Sequence, residues 1–173
     1  MGASKGAAAL ASASFDELLR HNEEETEHWR KFFTATPAAL DVPMDMADMK
    51  TVRGAVVHIF VVEQLYGERL SGITRERLSY DDFPADSLEQ LFAYHKLALA
   101  HLRKLLESYT EAQWSEPIEF KARVMSITAS RRKMFAHVLL HSMRHWAQVA
   151  MVLRQAGFKQ DWQHDFIFTQ VME

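Results

Sequence analysis

The stretch Ser130–Gly157, SRRKMFAHVLLHSMRHWAQVAMVLRQAG, decides the fold. Ser130 can cap a helix start, Arg154 suits a last turn, and Gly157 can take the left-handed conformation that closes a helix. No proline or glycine interrupts the run between them. These signals predict one long helix. Along it His137, His141 and His145 stand four residues apart. A step of four residues turns only ~40° around an α-helix, so the three imidazoles drift slowly across one face. Phe135, Leu139, Trp146, Val149 and Leu153 form the adjacent apolar stripe, which puts His141 and His145 at the edge of the buried face. Two imidazoles one turn apart can converge on a transition metal, whereas a lone histidine on an apolar face is more often a hydrogen-bonded core residue. The spacing by itself leaves both readings open.

Composition narrows the chemistry. A chain of 173 residues suits a single domain with a substantial core. Its formal net charge of −3 gives no electrostatic reason to expect nucleic acid or an anionic membrane as partner. The absence of cysteine excludes disulfides, thiolate zinc sites and a cysteine nucleophile, so a soft-metal site must use imidazole and carboxylate. No apolar segment approaches the roughly 20 residues that span a bilayer, and the cytoplasm is the default location. The alanine-rich opening, residues 1–13, reads as a disordered tail ahead of a folded domain over 14–173.

Three more helices are predicted upstream. Ser14 and Glu17 form a capping box for a first helix over about 15–33, in which Glu25 and His28 make an E-x-x-H pair. No second such pair exists, so a solvated helix face is the simpler role for these two residues. Residues 36–49, with Pro37 and Pro43, make a connection long enough for a crossover or a lid. A second helix over about 49–70 carries Val52, Ala55, Val56, Ile59, Val62, Leu65 and Tyr66 at helical spacing, with His58 inside that apolar band. After a polar loop through Asp82 and Pro84, Ser87 and Gln90 cap a third helix over about 87–109. His95 lies on its buried stripe and reads as a core histidine; His101 lies off it and reads as wet. Pro117, the alternation Ile118-Glu119-Phe120 and the run Val124–Thr128 predict a small hairpin. The final segment, with Trp162, Phe166, Ile167 and Phe168, is aromatic enough to dock on the helices. The expected fold is all-α, a four-helix bundle with an extended segment before the last long helix.

The order of these features resembles the DinB (DNA-damage-inducible) family, also called the DinB/YfiT-like metalloenzymes. The matching elements are V-V-H-I-F-V-V-E over Val56–Glu63 and H-V-L-L-H-S-M-R-H-W-A-Q over His137–Gln148, leading into L-R-Q-A-G. The resemblance implies an up-down-down-up four-helix bundle, commonly a homodimer, with a divalent metal, Zn or Ni, held by His58, His141 and His145. It places Glu63 at an acidic position after the first ligand. His137, Arg144 and Gln148 become candidates for supporting the ligands or touching substrate. Where the family often reads H-R-G-Q, this chain has His145-Trp146-Ala147-Gln148, so the arginine and glycine are missing. Ser142 stands where an H-E-x-x-H metalloprotease needs its glutamate, which excludes that chemistry.

Three neutral imidazoles leave a divalent ion its full charge and open positions, so it can acidify a bound water or hold a thiol as thiolate. Relatives include thiol-dependent S-transferases, and the resemblance therefore implies a small-molecule substrate and a low-molecular-weight thiol. A metal-dependent hydrolase is the alternative, with Glu63 as the catalytic base and Glu25 as a weaker candidate. A non-catalytic bundle that binds metal or another ligand in a stress response is the third reading.

Overall fold

The computed structural model describes residues 14–46, 49–73, 83, 86–121 and 125–169, without the side chains of residues 46, 120 and 121. The expected tail over 1–13, the loop residues Asp82 and Pro84, and Val124 of the expected extended run lie outside them. The chain is mainly α-helical. Five helices are present among the described residues: α1 Phe15–Ala35, α2 Val52–Leu70, α3 Leu88–Ser108, a short α4 Glu111–Ser115, and α5 Arg131–Gln155. Two antiparallel strand pairs accompany them, β1 Pro43–Met46 with β2 Met49–Thr51 and β3 Pro117–Lys121 with β4 Ser126–Ser130.

Each helix begins where a side chain satisfies its orphan N–H groups. Ser14 and Glu17 bond reciprocally at the start of α1, Ser87 and Gln90 do so at α3, and Thr51 accepts from Gly54 N at α2. Ser130 Oγ accepts from Lys133 N at the start of α5. At its end Gly157 has φ +88°, and Phe158 N reaches back to Leu153 O at 2.9 Å, closing the helix with a left-handed residue as its sequence predicts. The cap also explains one difference. Met49–Thr51 was expected to open the second helix, but these residues pair with Pro43–Met46, and the helix waits for the Thr51 cap. The short α4 was not anticipated, although Thr110 and Gln113 form a third capping box.

The four long helices close into a ring, α1 touching α3 and α5, and α2 touching the same two. Side-chain pairs give the directions. Phe60 meets Phe92, Glu63 meets His95, and Gly67 faces Ala98 and His101, so α2 and α3 run the same way. Glu63 meets Ser142, Tyr66 meets His137, and Leu70 O accepts from Arg131, so α5 runs against α2. Phe15 meets Phe135 and Trp29 meets Trp146, so α1 runs with α5. The directions are therefore up, down, down, up.

The core has two apolar parts. One gathers Trp29, Phe33, Phe60, Phe92, Trp146 and Leu153; the other gathers Leu19, Leu70, Leu102, Trp114, Phe135 and Leu139. On every long helix, buried polar residues sit between the two: Asn22 and Thr26 on α1, Glu63 and Gln64 on α2, His95 on α3, and His141, Ser142 and His145 on α5. This polar layer was only partly foreseen. On α2, Val62, Leu65 and Tyr66 are half-buried while Glu63, Gln64 and Glu68 are buried, because α2 is wedged between α3 and α5 and hides a wide arc. His101, expected to be wet, is half-buried beside Gly67.

The two segments that flank the long helices fare differently. The segment after α1 is the crossover its length suggests: α1 and α2 stand at opposite corners of the ring, a 3₁₀ turn over Pro37–Asp41 touches both, and with the β1–β2 strand pair it packs on α2 and buries Leu40 and Met44. The last segment docks through Trp162, His164 and Phe166, whereas Ile167 and Phe168 remain 81% and 61% exposed.

Gly157→Ala tests the closing turn of α5. A β-carbon there meets nothing within 4 Å, so the cost is conformational only. Urea unfolding should show a loss of about 1–2 kcal/mol. An unchanged midpoint would mean that this end of the helix is frayed in solution.

Candidate metal centre

The polar layer brings His58, His141 and His145 together. α2 supplies the first, one turn before Val62, and α5 supplies the other two, on either side of the buried Ser142. The antiparallel packing of α2 on α5 closes the gap of more than eighty residues in sequence. His141 Nε2 lies 3.2 Å from His58 Nε2 and 3.1 Å from His145 Nε2, and the three candidate ligand nitrogens all fall within 4.8 Å of one another.

The protonation of this group favours a cation. Burial lowers His58 to about 4 and His141 to about 3, and the neighbouring imidazoles and Arg144 push the same way. Burial also lowers His145, against the raising effect of its hydrogen bond to Gln148. All three rings are therefore neutral at neutral pH. His145 Nδ1 lies 2.7 Å from Gln148 Oε1, so Nδ1–H donates to the amide oxygen and Nε2 keeps a bare lone pair. His141 Nε2 can serve at most one of its two close contacts with a hydrogen. A cation among the three nitrogens would satisfy both contacts at once.

The spacing fits as well. With metal–nitrogen distances of about 2.0–2.1 Å, adjacent ligand nitrogens stand about 2.9–3.4 Å apart, from octahedral to tetrahedral angles. The two closest pairs here fall within that range. The Arg144 guanidinium donates to His145 Nε2 at 3.2 Å; its side chain is exposed, so a metal taking that lone pair can displace it into solvent. His137 is exposed on one side, with its ring 5.7 Å from the His141 ring and 5.3 Å from the Tyr66 ring, and the desolvation it does undergo lowers its pKa. It stands at the edge of the group rather than in it.

Glu63 holds the ligand helices in register. It is 1% exposed; Oε1 accepts from Ser142 Oγ at 2.6 Å and Oε2 accepts from His95 Nδ1 at 2.6 Å. One carboxylate thus joins α2, α3 and α5, and His95 is the core histidine its stripe predicts. Sequence reasoning singled out Glu63 as a base and noted Ser142 only for the glutamate it replaces. Neither local pattern shows that the two residues meet.

Glu25, expected on a solvated face, is 3% exposed. It accepts from Trp29 Nε1 at 2.6 Å, Trp162 Nε1 at 3.0 Å and His164 Nδ1 at 2.6 Å. The docking of the final segment buries it, and the aromatic content of that segment was the available signal. His28 is exposed and stacks on Trp162, so the E-x-x-H pair does not act as a unit.

Fold and site together define a mainly α-helical protein with a three-histidine group able to hold a metal ion. The DinB family model matches residues 8–170, nearly the whole chain, and the protein belongs to the DinB family. No curated protein matches the chain. No helix among the described residues is long and apolar enough to cross a membrane.

The metal site makes a direct prediction. Elemental analysis of protein purified without a metal-binding tag should find about one transition-metal ion per chain, lost in His141→Ala. Gln148→Leu, which removes the partner that orients His145, should weaken metal binding about 10–100-fold in a chelator competition. Equal metal content in wild type and His141→Ala would place the metal elsewhere.

Proposed function

We propose that this protein is a metal-dependent S-transferase that joins a low-molecular-weight thiol to a small electrophile. The observation that carries the reading is the set of three neutral imidazoles, with no carboxylate in the metal-binding group. Zn²⁺ or Ni²⁺ held by such ligands keeps its full charge and lowers the pKa of a thiol bound to it. The protein's own residues do the rest. His58, His141 and His145 set the position of the reacting sulfur, and Gln148 keeps His145 in the tautomer that presents Nε2. Arg144, exposed beside His145, supplies a cationic donor for a carboxylate on the thiol substrate. His137 is exposed beside His141, its pKa lowered by desolvation, and its imidazole takes the thiol proton. The reaction balances as R–SH plus E–X giving R–S–E plus HX: the S–H and E–X bonds break, the S–E bond forms, and X leaves with the bond pair.

The same geometry argues against the hydrolase reading. A hydrolase needs a base free to accept a proton from water. Both oxygens of Glu63 are occupied by Ser142 and His95, and Glu25 is occupied by Trp29, Trp162 and His164. Both carboxylates are buried in these bonds, and neither belongs to the metal-binding group. The role of Glu63 in this reading is to position α5.

The two activities separate in one assay. Metal-loaded protein should consume monochlorobimane only when cysteine or glutathione is added, at a rate well above the uncatalysed reaction. His141→Ala should abolish the excess, and His137→Gln should lower it about 10²-fold or more. Cleavage of an activated ester with no thiol present, together with no thiol-dependent turnover, would favour the hydrolase instead.

A further inference from the structure

We propose that the groove between α1 and α3 is a second small-molecule site, for an uncharged, mainly apolar ligand whose hydroxyl donates a hydrogen bond to His95 Nε2. The groove has a volume of about 490 Å³, and its walls include Thr26, Arg30, Phe92, Ala93, His95 and Leu99, with none of the three candidate metal ligands. That volume lies in the range of small-ligand pockets, about 300–1,000 Å³.

Two buried polar atoms on these walls have no hydrogen-bond partner: His95 Nε2 and Thr26 Oγ1. His95 is 6% exposed and Thr26 is 1% exposed, so bulk water does not serve them. One turn earlier on α1, the Asn22 amide is equally buried and also lacks partners at both its nitrogen and its oxygen. Leaving such groups unpaired is costly, and clusters of them mark places where another molecule completes the structure.

The hydrogen-bond network sets what that molecule must offer. Glu63 accepts from Ser142 with one oxygen and from His95 Nδ1–H with the other. With its hydrogen on Nδ1, His95 presents a lone pair at Nε2 and needs a donor. Thr26 can donate or accept. A hydroxyl can serve either atom. Phe92 and Leu99 supply an apolar wall for the rest of the ligand, and the rim carries charges of both signs, with Glu23 engaged by Arg103 and Glu27 by Arg30. Such a rim favours an uncharged molecule over an ion. Phenol is the simplest probe with these properties. The inference does not depend on the proposed transferase activity.

The test is a phenol titration of the full-length protein, read by the imidazole ¹⁵N resonances and repeated with toluene. The expected result is a saturable shift at His95 Nε2 with phenol and a markedly weaker response to toluene. Thr26→Val, which keeps the shape and removes the hydroxyl, should weaken phenol about 3- to 10-fold. Ala93→Phe, an exposed wall position, should block it, and His141→Ala should leave it unchanged. The proposal is overturned by any of three outcomes. Phenol gives no saturable shift, so that these atoms take no partner from the groove; toluene binds as well as phenol; or binding survives Ala93→Phe and is lost in His141→Ala, which would put phenol at the metal centre.

Discussion

The arrangement of this protein depends on one buried carboxylate. A charge taken from water into a protein interior must be paired and hydrogen-bonded, or it destabilises the fold by several kcal/mol. Glu63 meets that condition only when Ser142 on α5 and His95 on α3 both reach it. Apolar helix faces tolerate sliding, since one methyl contact replaces another. A carboxylate with two fixed donors does not. The Glu63 contacts therefore set the axial register of three helices, and that register brings His58 level with His141 and His145.

The apolar material is arranged around this requirement. Trp29 and Trp146 stack with centroids 5.2 Å apart on one side of the polar layer, and Phe15, Trp114 and Phe135 form an aromatic group on the other. Aromatic pairs of this kind add about 0.5–1.5 kcal/mol each beyond area burial. Two such clusters can hold a polar layer between them at a cost neither could bear alone. The three candidate metal ligands lie in this layer, where an imidazole is desolvated enough to stay neutral and has polar neighbours to orient it.

Glu25 repeats the logic at the edge of the structure. Its partners Trp162 and His164 come from the segment after α5, so the carboxylate ties that segment across α1. Trp162 and His164 also pack on Trp29, extending the aromatic stack outward. The docked tail thus shields a core face of α1 that would otherwise expose its tryptophan and carboxylate to water.

Sequence by itself determined the long helices and most of their starts, since caps and apolar periodicity are local signals. Ser14, Ser87 and Ser130 act as N-caps, and Gly157 closes α5. It also determined the i, i+4 pair His141 and His145, because one turn of helix suffices to bring two rings together. His58 could be added only through the family resemblance, for nothing within α2 says which face of another helix it meets. Tertiary structure alone decided that Glu63 bonds Ser142 and His95, that Glu25 is buried by the final segment, and that Gln64 and Glu68 lie inside. The physical reason is common to all three. A polar side chain shows its hydrogen-bonding capacity in the sequence, but its partner is chosen by helix packing between residues far apart in the chain.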